Sequence, residues 1–363
     1  MTQSDALKVR REFGGERLRI AREFKGWTKE ELARRTDLTG ASIGQFERSE
    51  TTPNAATVKT LASALEVPLA YFSTGVDTGY QAGAYFRSLR STTLRERKRA
   101  RAFVQWVHQF VLALEHVVVL PENSLPRHPI EPTSEDPEAI EAIAAKVRKE
   151  LEIALDEPVP NVVRTLERGG VVAVLNDSAD VKIDAFSVPF DDRAFVVMSS
   201  AKGKHDRSRF DAAHELGHLV MHEPSGDTKT REAQAHRFAA AFLMPKESII
   251  NELPAFADWR HLLQMKQRWG TSIAALLRRS HDLNKMDATT YRNAMKSLSA
   301  RGWRRDEPGN LRPEEPSLLK KAVEVAHQEG HSISDLARSA ALPEAFVDRL
   351  LKTGVDTRPS VEI

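Results

Sequence analysis

Five prolines, Pro121, Pro126, Pro129, Pro132 and Pro137, divide the 363-residue chain. Proline continues neither a helix nor a central strand, so no regular element runs through this stretch. The two sides of it read differently. Residues 13–73 have the rhythm of short helices with tight turns, and 80–120 that of a long helix or helix pair, basic first and apolar later. Beyond the prolines, "EDPEAIEAIAAKVRKEL" has helical apolar spacing. "VVAVL" (171–175), "DAFSV" (184–188) and "RAFVVM" (193–198) are β-rich runs separated by turn-forming Asn176, Asp177, Asp191 and Asp192. Helices return from about 206, and a helical tail follows a Pro/Gly break at 308–316.

The expectation is an α+β, mostly helical chain. It comprises an all-α domain over 13–73, a connecting helix at 80–120, a Pro-rich linker at 121–137, an α+β domain with a small sheet at 138–300, and a helical C-terminal subdomain at 316–352. The connecting helix either pairs with its copy in a homodimer or packs onto the α+β domain. "EELARRTDLT" (30–39) is echoed by "SDLARSAALP" (334–343), as two helix–turn–helix cores or as two unrelated hairpins.

There is no cysteine, which excludes disulfide scaffolds and thiolate metal sites. The most apolar long run, 102–120, is broken by Gln105, His108, Gln109, Glu115 and His116, so no membrane partner is expected. The reading is a cytoplasmic protein. Charge is uneven. Residues 1–101 carry 19 basic against 12 acidic residues, an excess of +7, whereas 121–160 carry 4 against 10, an excess of −6. A basic N-terminal third fits a polyanion, although a solvated surface produces the same bias.

"FDAAHELGHLVMH" (210–222) carries the chemistry. On a helix, His214 and His218 lie one turn apart on one face and can direct two imidazoles at one metal ion. Glu215, rotated by roughly 100°, can act as general base without being a ligand. Gly217 is read as keeping that surface open. Zinc needs a third ligand and an open position. Glu232 sits on the otherwise apolar face of "TREAQAHRFAAAFLMP" (230–245), where a carboxylate needs a partner; Glu223 and Asp227 are the alternatives. Gln234 and Arg237 are expected to face solvent. His222 lies too far along the helix to share the metal with His214 and is placed at the helix end or cleft wall. His236, one turn after Glu232, backs a ligand, donates to the transition state, or is a packed or surface histidine.

Residues 135–300 resemble the ImmA/IrrE family of zinc metallopeptidases. The likeness is carried by "RFDAAHELGHLVMH", by E-x-x-A-x-x-F-A-x-x-F-L-M-P from Glu232 to Pro245, by "VVRTLERGGVVAVL … DAFSV" and by "WGTSIAALLRRSHDL". The resemblance implies a zincin-like fold, Zn²⁺ on His214, His218 and Glu232, and catalysis by Glu215. The family often has a second glutamate two residues after the third ligand, where this chain has Gln234, read as a surface change.

In "GWTKEELARRTDLTGASIGQFERSETTPNAATVKTLASALEVPLAYF" (26–72), Thr28 and Glu31 form a capping-box pair and Thr39 caps the next helix. Ile43 and Phe46 pack inward, leaving Gly40, Ala41, Ser42, Gly44 and Gln45 outward. Small residues let a helix enter a major groove, and Gln45 can pair bidentately with adenine. This segment resembles the XRE-type helix–turn–helix family, which implies binding of double-stranded operator DNA. Lys29 stands where that family often has a DNA-contacting Gln and suits phosphate better; Ser49 replaces a usual helix-ending glycine. Arg17, Arg22, Lys25, Lys29, Arg34, Arg35 and Arg48 are phosphate candidates.

The combined reading is a DNA-binding transcription regulator carrying a zinc-dependent peptidase. It cuts a repressor, either itself or a separate protein substrate. The alternative is a non-cutting, zinc-dependent sensor that modulates DNA affinity.

Overall fold

The structure is a computed structural model. It describes all residues except 1–11, 74, 76–92, 132, 135, 177–184, 200–204, 224–227, 310, 312–313 and 353–363. Asp227, Asp184, Pro132 and the start of the connecting segment therefore lie outside the described residues.

Four helices open the chain: α1 (Gly15–Phe24), α2 (Lys29–Thr36), α3 (Gly40–Glu47) and α4 (Ala55–Leu65), followed by a 3₁₀ turn at Leu69–Ser73. Their ends are set by local chemistry. Thr28 and Glu31 make the reciprocal capping box that starts α2, and Thr39 and Asn54 cap α3 and α4. Helix α5 (Leu94–Glu115) begins on a second capping box, Thr93 with Glu96. Then come α6 (Pro137–Glu150) and α7 (Val162–Arg168), and the strands β1 (Val172–Asn176), β2 (Ala185–Pro189) and β3 (Ala194–Ser199). Helices α8 (His205–Met221), α9 (Thr228–Leu243), α10 (Lys246–Ile249), α11 (Trp259–Trp269), α12 (Ile273–Asp282) and α13 (Ala288–Ala300) follow. The chain closes with α14 (Leu318–Gln328), α15 (Ile333–Ser339) and α16 (Glu344–Lys352). No helix of the described residues is long and apolar enough to cross a membrane.

The sheet has the order β1-β3-β2, with β1 parallel and β2 antiparallel to β3. Side chains alternate across a strand, and here both faces are buried. Val172, Val174, Phe186, Val188, Phe195 and Val197 face one apolar core. Ala173, Ala185, Val196 and Met198 face a second, which they share with Ala212, Ala213, Leu216 and Phe238 of α8 and α9.

The first core ignores the expected segment boundaries. It joins α1–α4, α5, one sheet face and α14–α16. Trp106 of α5 sits at its centre, 2% exposed. It stacks on Phe24 at 3.8 Å between ring centroids, meets Phe346 edge-on at 5.1 Å, and donates from Nε1 to Tyr71 Oη over 3.0 Å. On the next turn His108 packs 4.0 Å from the Phe190 ring, and Gln109 donates to the carbonyl of Ala340. Of the two roles open to α5, packing within the chain is what the structure has: its apolar residues from Trp106 to Leu114, apart from the half-buried Leu112, are buried here.

Among its described residues the stretch 121–136 is irregular, in keeping with its prolines, and Pro137 opens α6, yet the stretch is not a free tether. His128 and Ile130 donate their N–H groups to the carbonyls of Val220 and Met221, at 2.9 and 3.1 Å, and Ser124 donates to Gly169. It is a strap hydrogen-bonded along the end of α8.

The internal echo has a structural basis. With an offset of 304 residues, Gly26 and Gly330 share positive φ (69° and 90°), and Asp37 and Ala341 share φ near 50°. Capping boxes at Thr28/Glu31 and Ser332/Asp335 start the middle helices, and Leu32, Ala33 and Ile43 match the buried Leu336, Ala337 and Val347. The position of Ser42 is taken by Phe346, which is turned into Trp106 and Phe24. The C-terminal subdomain is thus held against the N-terminal helices by this ring. Phe346→Ala should lower stability by about 3–5 kcal/mol in urea melts, whereas Phe256→Ala, at a 66% exposed ring, should stay within about 0.5 kcal/mol.

Candidate metal centre and nucleic-acid interface

Helix α8 presents His214 and His218 to α9, and α9 presents Glu232 to them. His214 Nε2 lies 3.1 Å from His218 Nε2 and 3.2 Å from Glu232 Oε2, and His218 Nε2 is 3.6 Å from Glu232 Oε1. The three ligand atoms all lie within 4.8 Å of one another. The structure thus brings together the three residues expected to hold metal. Two imidazole nitrogens and one carboxylate oxygen, with space left over, are a donor set that suits zinc.

The electrostatics agree. Glu232 is held far below the ordinary carboxylate range: burial pushes the other way, but hydrogen bonds to His214 and His218 outweigh it. His214 is raised despite burial, through Glu232, Glu215 and Asp211. A carboxylate kept ionised between two imidazoles is poised for a cation.

Glu215 is 1% exposed and lines a cleft of about 960 Å³ together with Phe210, His214, Glu232, His236 and Arg237. Ser187 of β2 donates its hydroxyl to Glu215 Oε2 over 2.6 Å, fixing one oxygen and leaving the other for chemistry. Sequence reasoning missed Ser187. Its signal was a lone hydroxyl in an apolar strand, fully buried here. His236 is exposed at the cleft, its ring 6.4 Å from that of His214. Glu223 is exposed and paired with Arg127, outside the metal cluster.

Three expectations need correction. Gln234 is not a surface residue: it is 2% exposed, accepts from His222 Nε2 at 2.9 Å, and donates to the carbonyls of Glu131 and Ser134. The strap over α9 covers a position that helical phase alone assigned to solvent. Arg237 likewise is half-buried and lines the cleft. Gly217 does not open a surface. A Cβ there would lie 2.9 Å from Phe238 Cδ1, so the glycine lets α8 and α9 approach closely. His222, 1% exposed, stands behind His218 with their Nδ1 atoms 2.9 Å apart. Burial and the neighbouring His218 push it down to about 3, so its ring is neutral at physiological pH.

In the reader, Ala41 and Gln45 are exposed on α3, with Gly40 and Ser42 half-buried beside them and Thr39 exposed at the cap. Lys29, Arg34, Arg35 and Arg48 keep exposed side chains around this face; Arg35 lies over Trp27 at 4.2 Å, and Arg48 pairs with Glu50 at 2.6 Å. Gly44 is buried beneath Lys29 and Arg48 rather than outward. Ser49 adopts φ 56°, supplying the left-handed turn expected of the missing glycine. Two phosphate candidates fail. Arg17 is 4% exposed and donates to Gln109 and the Gly75 carbonyl; Arg22 is 6% exposed and holds Glu47 at 2.5 Å. Both guanidinium groups serve the fold. Lys25 is drawn to Glu66 at 2.7 Å.

Comparison with known proteins matches two separate parts of the chain. Residues 18–72 match the helix-turn-helix family, and residues 166–281 match the M78 peptidase family described as IrrE N-terminal-like domain. Over 55 residues the chain is 38% identical to the HTH-type transcriptional regulator SutR of Escherichia coli strain K12. That match covers 15% of this chain and 31% of the relative, so the likeness is confined to the reader. The chain carries an XRE-type helix–turn–helix domain and an IrrE-like M78 domain.

Arg22→Ala should cost about 3 kcal/mol of stability, the low end for a broken buried pair because Lys29 stays 3.8 Å from Glu47. Arg34→Ala should leave stability unchanged and reduce the salt slope of DNA binding by about 1. Urea melts and titrations of duplex DNA against salt separate the two roles.

Proposed function

Joining a helix–turn–helix reader to an IrrE-like domain, the chain is, we propose, a cytoplasmic DNA-binding transcription regulator. Its zinc-dependent peptidase site cuts a repressor, either this chain itself or a partner protein, to switch gene expression. The observation that carries the reading is the convergence of His214, His218 and Glu232 at the wall of the cleft that Glu215 lines.

His214 and His218 would hold zinc through neutral imidazoles and Glu232 through its carboxylate. When bound, the metal supplies Lewis-acid polarisation of the scissile carbonyl. The residues of the chain do the rest. Glu215 takes a proton from the attacking water on the carboxylate oxygen that Ser187 leaves free, then returns it to the departing amine. His236, at the cleft wall, can donate a hydrogen bond to the developing oxyanion. DNA recognition rests on Gln45 for base contact and on Thr39, Gly40, Ala41 and Ser42 for close approach, with Lys29 and Arg48 on phosphate. A homodimer would place two such readers on one operator.

One observation favours the second reading, a non-cutting sensor. The sheet packs on α8 and α9 with one face and on the core of α1–α5 and α14–α16 with the other, which gives a change at the metal centre a packed route to the N-terminal domain without a cut.

Purified protein should contain one zinc per chain by elemental analysis. His214→Ala should empty the site, Glu232→Gln should weaken it strongly, and Glu215→Gln should retain the metal. Full zinc in His214→Ala would refute the ligand set.

The switch itself is tested with a reporter under the chain's own promoter, the regulator's size being followed by immunoblot. Glu215→Gln should bind DNA normally yet resist release under the inducing condition. Equal derepression by wild type and Glu215→Gln would rule out cutting and leave the sensor.

A further inference from the structure

We propose that His222 and Gln234 are positioning residues that lock His218 in the tautomer presenting Nε2 to the metal centre. They also tie that choice to the backbone of the strap at residues 131 and 134. The inference rests on the metal-centre reading above.

The argument is one of donors and acceptors. Carbonyl oxygens only accept, and those of Glu131 and Ser134 lie 3.0 and 2.8 Å from Gln234 Nε2. The amide nitrogen must therefore face them, which turns Gln234 Oε1 toward His222 Nε2 at 2.9 Å. An amide oxygen also only accepts, so His222 carries its proton on Nε2. The ring is 1% exposed, where a second proton would bury a charge, so Nδ1 is left as an acceptor. Its neighbour at 2.9 Å is His218 Nδ1, which must donate. A neutral His218 protonated on Nδ1 has its lone pair on Nε2, the atom set 3.1 Å from His214 Nε2 and 3.6 Å from Glu232 Oε1.

Each step is one-way. Reversing the Gln234 amide sets its oxygen against two carbonyl oxygens. Reversing His222 sets its lone pair against the Gln234 oxygen and its proton against that of His218. His218, His222 and Gln234 are each 1–2% exposed, so bulk water does not relieve such a mismatch. The lock begins on main-chain carbonyls in the strap that joins α5 to α6, where Arg127 also grips Leu219 and His222 carbonyls. A shift of that strap would free the Gln234 amide and, through it, the orientation of a metal ligand.

The test uses the full chain, labelled selectively with ¹⁵N-histidine and stripped of metal. Long-range proton–nitrogen correlation spectra report each tautomer, with signals assigned by His218→Ala and His222→Phe. The expected result is His218 protonated on Nδ1 and His222 on Nε2. Gln234→Leu and His222→Phe should mix the His218 tautomers and weaken zinc binding by about 10–100-fold in chelator competition. His222→Gln, whose amide oxygen can accept from His218 Nδ1–H, should recover most of the affinity. A metal-free wild type with His218 protonated on Nε2 overturns the proposal, and so does zinc affinity within about threefold of wild type in both Gln234→Leu and His222→Phe. If those variants do not fold, the wild-type spectra decide alone. A wild-type chain that takes up no zinc refutes the metal-centre reading, while the tautomers of the metal-free chain still decide this one.

Discussion

Side chains on opposite faces of one small sheet hold this molecule together. Phe195 and Val197 of β3 look toward α5, and Val196 and Met198 look toward α8. Because a strand alternates with a period of two, a shift of one residue in register would exchange the two sets. The parallel pairing of Val172 with Phe195 and the antiparallel pairing of Val188 with Phe195 fix that register from both sides. Helix α8 thus packs directly on one face of these strands, and the N-terminal helices reach the other face through α5 and α14–α16.

Polar contacts fasten the segment that leads into the C-terminal subdomain. Glu314 accepts the N–H groups of Val162 and Val163 at the start of α7, and Glu167 within α7 accepts those of Ser317 and Leu318 at the start of α14. Each carboxylate satisfies a helix N-terminus that would otherwise be left with unpaired donors. Both exchanges join α7 to the segment 314–318 at the start of the tail.

What the sequence made legible was whatever depends on local spacing. The capping box of Thr28 with Glu31, the three strands to within one residue, and the pairing of His214 with His218 follow from periodicity and side-chain chemistry near in sequence. Glu232 was legible because an acidic residue on an apolar helical face needs a partner. Gln234 was not, because its burial comes from a strap about 100 residues away, and helical phase carries no information about what lies across a groove. Arg17 and Arg22 failed for a related reason. A basic residue in a basic segment looks like a phosphate ligand until the fold supplies Gln109 or Glu47 as its partner. The role of α5 was undecidable at that level, since an apolar helix fits a dimer seam and an internal core equally well.

The shared core also separates two events that are easily equated, breaking the chain and parting its pieces. A scission anywhere in 121–137 would leave the reader and α5 on one fragment, and the sheet and α14–α16 on the other. The fragments would still be joined through Trp106 against Phe346, His108 against Phe190, and Arg193 reaching across to Glu115 and the Pro121 carbonyl. A nicked molecule of this design is a two-chain complex with a domain-sized apolar interface. Its lifetime would be set by a dissociation rate rather than by the moment at which the backbone breaks.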